Sequence, residues 1–225
     1  MRRFLLSGLV LLLAGCGATA ARTPAPPPVP PSPTPSPSSA APPPAKSLTD
    51  LRPADAELAP FDLRLFGDPV PYLASENTTL ALVAACGEKQ PWDAKAKQGT
   101  QVEWTSDRSK AKTHAKQLIV RYEGTSGAAV VNGVKQALRC GTVQTEGMSV
   151  QVGGEVGLPS LGLDAQYAFC DQFPSGDIGR CYLLLAKGDK ASVVVMAGND
   201  RSAHPERQTL IPKIAPIFAA ALSRP

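Results

Sequence analysis

Two apolar runs near the end of the chain constrain its fold more than any other feature. The first contains Leu183-Leu184-Leu185 and the second contains Val193-Val194-Val195, with Gly188-Asp189 between them. Gly-Asp suits the primed two-residue turn of a β-hairpin. Neither run alternates apolar with polar residues, and strands of that kind are covered on both faces. We therefore expect helices or loops on both sides of a central sheet.

Other segments add strands around this hairpin. Alternating apolar residues predict strands at 101–105, 117–122 and 148–152. Gly153-Gly154 follows the third of these and predicts a turn or a bulge. The apolar run 80–85 fits either a helix or a strand.

Two longer helices and one short helix are expected. A short helix is predicted at 55–58, and apolar residues at helical spacing predict a helix at 130–138. Ser126 is expected to cap this second helix at its start, and Gly141 at its end.

The C-terminal segment also has an apolar stripe that predicts a core-facing helix. Ser202 and Pro205 suit its start, whereas Pro212 and Pro216 predict a kink or a break. The stripe consists of Leu210, Ile211, Ile214, Ile217, Phe218, Ala221 and Leu222.

Four cysteines predict two disulfides. Cys170 and Cys181 flank the turn-rich loop 173–177, so they can meet across a hairpin, which leaves Cys86 to pair with Cys140. Three pairings are possible in principle. A structural zinc site normally uses closely spaced ligand pairs, and this chain has no such pair among its cysteines. We therefore expect disulfides, and neither a metal nor a cofactor.

The N-terminus predicts export and lipidation. Arg2-Arg3 precedes the apolar run 4–13, and Leu13-Ala14-Gly15-Cys16 matches the cleavage site of a bacterial lipoprotein signal. The run is far shorter than the roughly 20 residues of a membrane-spanning helix. The alternative is an ordinary secretory signal cut near Ala18-Thr19-Ala20. The lipoprotein interpretation makes Cys16 the lipidation site and places the protein on the extracytoplasmic face of the cell membrane.

A proline-rich segment separates this signal from the folded part. Proline fixes φ and lacks a backbone donor, so residues 22–47 favour an extended, disordered tether. The predicted organisation is a signal peptide at 1–15, a lipidated N-terminus and linker at 16–47, and one extracytoplasmic domain at 48–225. The predicted class of that domain is α+β, with a central, mostly antiparallel sheet, helices packed on it and two disulfides.

The charge of the chain argues against a nucleic-acid partner. The formal net charge is +4, and removal of Arg2 and Arg3 with the signal leaves about +2. Lysines in the region 89–116 are interspersed with acidic residues, which is typical of a solvated surface. We expect a monomer whose only membrane contact is the lipid anchor.

The order of elements resembles the extracellular sensor-like domains of actinobacterial proteins, including that of a mycobacterial serine/threonine protein kinase. The resemblance rests on the helix 130–140 and on Arg180-Cys181 leading into Val193-Val194-Val195 and the final helix. It covers about residues 75–222. The resemblance implies an α/β domain with a cleft for an envelope ligand and without catalytic residues.

The sequence contains none of the common enzymatic motifs. The chain lacks the nucleophile-elbow, zinc-protease and phosphate-loop patterns, and the glycines at 153–157 do not match a dinucleotide-binding loop. His114 lies in a polar segment and is expected to face solvent. Trp104 is expected in the core with Val102. Trp92 is expected either to pack as a lid or to contact a ligand.

These observations favour a non-enzymatic, membrane-anchored module that binds an envelope lipid, glycan or protein, although the sequence identifies no ligand-binding residue. The alternative is an accessory or assembly protein that makes only protein contacts. A hydrolase with an unfamiliar site would need His114 or His204 close to a hydroxyl and a carboxylate.

The lipoprotein hypothesis predicts the behaviour of Cys16→Ala. Without the thiol no diacylglycerol can be attached, so the variant should leave the membrane fraction or accumulate as uncleaved precursor. Metabolic labelling with an alkyne fatty acid should mark the parent and not the variant. Equal labelling of both would contradict the hypothesis.

Overall fold

The computed structural model describes residues 47–73, 80–106, 113–145, 147–172, 178–198 and 204–225. Cys16 and the proline-rich tether lie outside these residues, as do Ser202 and the loop 173–177. The chain divides after residue 43, and residues 44–225 form one compact unit that contains both hydrophobic clusters and both disulfides. This unit has a complete core of its own, so we expect it to fold when it is produced separately.

Within the described residues, ten strands form one antiparallel sheet, accompanied by three α-helices. The strands are β1 (Leu63–Leu65), β2 (Val70–Leu73), β3 (Ala84–Ala85), β4 (Ala96–Ser106), β5 (Thr113–Tyr122), β6 (Thr142–Thr145), β7 (Met148–Glu155), β8 (Ala165–Gln172), β9 (Ile178–Lys187) and β10 (Lys190–Gly198). The helices are α1 (Asp55–Leu58), α2 (Gly127–Ala137) and α3 (His204–Leu222). The sheet order is β1-β4-β5-β10-β9-β8-β7-β6-β3, and β2 also pairs with β4.

The hairpin of β9 and β10 lies in the middle of this sheet, as the two apolar runs predicted. Lys187 pairs with Lys190, and Gly188 between them has a φ of +60°, which fits a primed turn. Leu183 and Leu184 belong to opposite hydrophobic clusters. The sheet centre is therefore covered on both faces, as expected.

Each face packs against one of the longer helices. On one face, α3 packs against a hydrophobic cluster that includes Trp104 and Phe218, and we call this cluster the α3-side core. The rings of these two residues meet edge to face with centroids 5.6 Å apart. On the other face, α2 packs against a second hydrophobic cluster, which we call the α2-side core and which includes Val130 and Val134. Trp104 and Val102 are both buried in the α3-side core, which confirms their predicted position.

The helix α2 begins and ends where the sequence indicated. The Ser126 hydroxyl accepts a hydrogen bond from the backbone N–H of Ala129 at 3.1 Å, which satisfies one free donor of the first turn. At the other end, the 3-10 turn Leu138–Cys140 extends the helix to Gly141, whose φ is +90°. This left-handed conformation favours glycine and stops the helix.

The helix α3 is continuous through Pro212 and Pro216, so the alternative of a broken helix is wrong. Proline has no backbone N–H, so Pro212 cannot donate to the carbonyl of Gln208, and Pro216 cannot donate to the carbonyl of Pro212. Gln208 is exposed and Pro212 is half-buried, so water can reach this side of the helix.

Within the described part of the chain, no helix combines the length and apolarity needed to cross a membrane.

Both predicted disulfides are present. Cys170 and Cys181 are direct cross-strand partners on β8 and β9. The second disulfide joins Cys86, after β3, to Cys140 at the end of the helical extension of α2. The class predicted from the sequence, an antiparallel sheet with packed helices and two disulfides, is confirmed.

Three local features refine the sequence prediction. The run 80–85 contributes only the short strand β3, and the rest of it has no regular structure. The register of β7 against β8 shifts between Val152 and Glu155, which is the bulge predicted at the glycine pair. A Cβ on Gly153 would lie 2.7 Å from the Cys170 carbonyl oxygen, so this close approach requires glycine. The strands β1, β2 and β6 are too short for a periodic pattern and were missed.

The packing of α3 predicts the effect of Ile214→Ala. Ile214 is fully buried in the α3-side core, so truncation should leave a cavity and lower the free energy of unfolding by about 2–5 kcal/mol. Chemical denaturation of residues 44–225 measures this change. The matched control is Lys213→Ala on the adjacent, exposed position. Equal stability of the two variants would contradict the packing of this helix.

Candidate functional site

A cavity of about 750 Å³ opens on the same face of the sheet as α2. Its floor is formed by β4, β5, β9 and β10, at the strand ends that lie away from the Gly188 turn. Its opposite wall is formed by residues 81–84 and by β6. Because β3 and β6 form one edge of the sheet, this shared lining shows that the sheet curls around the cavity.

The wall beside β6 is mainly apolar and is held by a disulfide. Ala85 pairs with Val143, and the backbone N–H of Cys86 donates to the Thr142 carbonyl at 3.0 Å. The bond from Cys86 to Cys140 then ties this segment to the end of the α2 extension. The apolar side chains that line the cavity include Leu82, Val83, Val143 and Val195.

The rim over β4 and β5 is polar. Glu103 and Lys116 are direct partners across these strands, and their side chains form an ion pair at 2.8 Å. Glu103 also accepts a hydrogen bond from the side chain of Gln101 at 3.2 Å. His114 lies two residues before Lys116 on the same face and is exposed at the cavity.

The floor over β9 carries a second polar group. The Arg180 guanidinium donates a hydrogen bond to the Thr145 hydroxyl on β6, and both residues line the cavity. The backbone N–H of Arg180 donates to one carboxylate oxygen of Asp171. The hydroxyl of Tyr182, another lining residue, donates to the other oxygen of Asp171 at 2.9 Å.

Asp171 connects this floor to the helix on the opposite face. Only 1% of Asp171 and 1% of Arg207 is exposed, and Arg207 donates from α3 to the Gly179 carbonyl at 3.2 Å. Burial raises the pKa of Asp171, while the hydrogen bonds from Arg180 and Tyr182 and the charges of both arginines oppose that rise. Burial, followed by the nearby Asp171 charge, also raises the pKa of Tyr182.

An aromatic ladder continues the floor beneath α2. The rings of Tyr182 and Phe169 stack with centroids 4.5 Å apart, and the rings of Phe169 and Tyr167 with centroids 5.7 Å apart. The Lys135 ammonium lies 4.7 Å from the centre of the Tyr167 ring. Tyr182 is therefore held by stacking on one side and by Asp171 at its hydroxyl.

The residues singled out in the sequence lie in different places. His114 is exposed at the cavity. Trp92 packs on α2, where a Cβ on Gly133 would collide with its ring, and it is not among the residues that line the cavity. Cys16 lies outside the described residues.

The sequence did not identify Asp171, Thr145 or Tyr182 as site residues. It pointed to Arg180 only as one of the residues that carry the resemblance to the sensor-like domains. The available signal was the position of Asp171 and Arg180 next to the two cysteines of one predicted disulfide. A charged residue beside a buried cross-strand pair must find partners, because an unpaired buried charge is costly. That signal indicates a buried polar group and does not locate a cavity.

No protein-family model matches the chain, and no curated protein matches it. Among solved structures, the fold is similar to that of the extracellular domain of PknH from Mycobacterium tuberculosis. The sequence identity is 11% and the TM-score is 0.44, and the match covers 80% of this chain and 93% of that domain.

The charge arrangement predicts that Arg207→Met will destabilise the unit in a pH-dependent way. Loss of the cation should raise the pKa of Asp171 further, so the ionised carboxylate becomes harder to keep in the folded state. A folded pKa above the unfolded value means that stability falls as pH rises from about 4 through the folded pKa. The free energy of unfolding should therefore drop at neutral pH, and by less near pH 4.

Urea denaturation of residues 44–225 at several pH values measures this difference. The control is Lys213→Met, on an exposed position of the same helix, which should change little at any pH. A loss of stability in Arg207→Met that stays constant across pH would contradict the proposed coupling to Asp171.

Proposed function

We propose that residues 44–225 form a non-enzymatic, sensor-like module that binds a small envelope molecule in the cavity. In this proposal, a lipid on Cys16 anchors the module at the extracytoplasmic face of the cell membrane.

The cavity is the observation that carries this proposal. Its volume of about 750 Å³ lies in the range of roughly 300–1,000 Å³ that is typical of small-molecule sites. It combines an apolar wall with a few polar groups, which is the composition that such sites use to hold a ligand and orient it. The four strands of its floor and the disulfide-linked wall supply a preformed shape.

The engagement of the polar groups favours binding over catalysis. Lys116 is paired with Glu103, and Tyr182 is hydrogen-bonded to Asp171. A general base must be able to reach a proton of the substrate, whereas Lys116 and Tyr182 are already engaged by Glu103 and Asp171. Their arrangement suits recognition of a ligand by fixed charges and donors.

The alternative function is that of an accessory protein with protein contacts only. It is favoured by Phe66 and Val70, near one edge of the sheet, where 64% and 45% of the residue surface is exposed. Exposed apolar residues of this size are common at protein interfaces. We favour ligand binding because a cavity of this volume has no use in a purely surface-mediated contact.

A cavity-filling substitution tests the proposal. Val195 lies on the floor between Tyr182 and Lys116, so Val195→Trp should occupy the space that the ligand needs. The chain is purified from its own host, and bound small molecules are identified by native and lipid mass spectrometry. The parent should carry a defined molecule, and the variant should carry at least about tenfold less.

The matched control is Gln151→Trp, which adds the same side chain on an exposed position of β7, outside the cavity. Circular dichroism verifies that all three proteins are folded. Equal retention of the molecule by Val195→Trp and by the parent would contradict binding in the cavity. A parent that carries no molecule, together with loss of a protein partner on Phe66→Ser, would favour the accessory function.

A further inference from the structure

The register of the sheet places two donor side chains on either side of a small residue in the cavity floor. Ala197 on β10 pairs with His114 on β5. On the other side of β10, Met196 pairs with Cys181, so Arg180 on β9 is beside Ala197. All three residues line the cavity. They form a row across three strands, and we call this row the Arg180–His114 saddle.

The saddle has room for a small ionic group. Neighbouring strands are about 4.8 Å apart, so the backbones that carry Arg180 and His114 are separated by about 10 Å. Only the methyl group of Ala197 rises between them. A carboxylate or phosphate placed over Ala197 could therefore be approached from both sides.

Arg180 is suited to such a group by chemistry and by orientation. A guanidinium carries five N–H donors in a planar fork that matches carboxylate and phosphate oxygens. Its hydrogen bond to Thr145 orients the fork at the cavity. His114 adds a ring N–H donor in either protonation state.

The apolar wall determines what else the ligand contains. Ala81, Ala84 and Val195 line the cavity and are only partly buried, so they leave apolar surface accessible inside it. A free inorganic anion would leave this surface unused. An apolar chain attached to the anionic group would bury it.

We propose that the cavity binds an amphiphile whose anionic head, a carboxylate or a phosphate, lies in the Arg180–His114 saddle while its apolar chain contacts Ala81, Ala84 and Val195. This inference rests on the proposed ligand-binding function and names the class of ligand.

Four matched probes test the inference by calorimetric titration into residues 44–225: dodecanoate, dodecyl phosphate, dodecanol and inorganic phosphate. The two anionic amphiphiles should bind about ten- to a hundredfold more tightly than dodecanol, because charge-assisted hydrogen bonds add to the shared apolar contact. Tighter binding of dodecanoate would identify a carboxylate head, and tighter binding of dodecyl phosphate a phosphate head. Either result supports the proposal.

Substitutions then assign the preference to the saddle. Arg180→Gln should remove most of the preference for the anionic probes and leave dodecanol binding unchanged, whereas Arg180→Lys should restore part of it. Arg139→Gln is the control, because it makes the same change on an exposed residue outside the cavity. Ala197→Leu fills the saddle without changing charge and should also remove the preference, which keeps the test valid if Arg180→Gln is poorly folded.

Three outcomes would overturn the inference. Dodecanol binding as tightly as dodecanoate would exclude recognition of charge, and the proposed function would stand if Val195→Trp still blocks both. Inorganic phosphate binding as tightly as dodecyl phosphate would indicate a site for a free anion. No binding of any probe would reject this ligand class, and the co-purified molecule would then decide whether the cavity binds a ligand of another class.

Discussion

The structure depends on covering both faces of the β9–β10 hairpin at the centre of the sheet. Side chains of successive residues in a strand point to opposite faces, so Leu183 and Leu184 each need a separate apolar layer. The helix α3 supplies one layer, and α2 supplies the other. Neither helix could bury its own apolar stripe without the sheet, so the two cores form together. Burial of these layers is the main source of stability, at about 25 cal/mol for each Å² of apolar surface removed from water.

The two faces differ in how far they are covered, and the cavity follows from that difference. The long helix α3 runs along one face, whereas the shorter α2 contacts β8, β9 and β10 and lies near the Gly188 turn at its start. The opposite strand ends on the α2 side are faced by β6 and by residues 81–84 instead. The disulfide from Cys86 to Cys140 links that wall to the end of the α2 extension, so the same bond stabilises the fold and shapes the site.

The buried polar network links the cavity with the other core. Asp171 contacts Tyr182 and Arg180 at the cavity floor, and the charge of Arg207 reaches it from α3. Charges at this depth are tolerated only when they are paired and hydrogen-bonded. A change at the cavity floor would therefore alter the electrostatic environment of α3.

The sequence by itself determined those features that depend on local pattern or on chain connectivity. The turn at Gly188, the cap at Ser126 and the core position of Ile214 could all be predicted, because periodicity and turn chemistry act over a few residues. The two cysteine pairs followed from one loop and from elimination. Only the tertiary structure decided that residues 81–84 face the strand ends, and that Arg180 is two strands away from His114. Those contacts join segments that are far apart in sequence, and they depend on how the sheet curls and on its register, which no local pattern encodes.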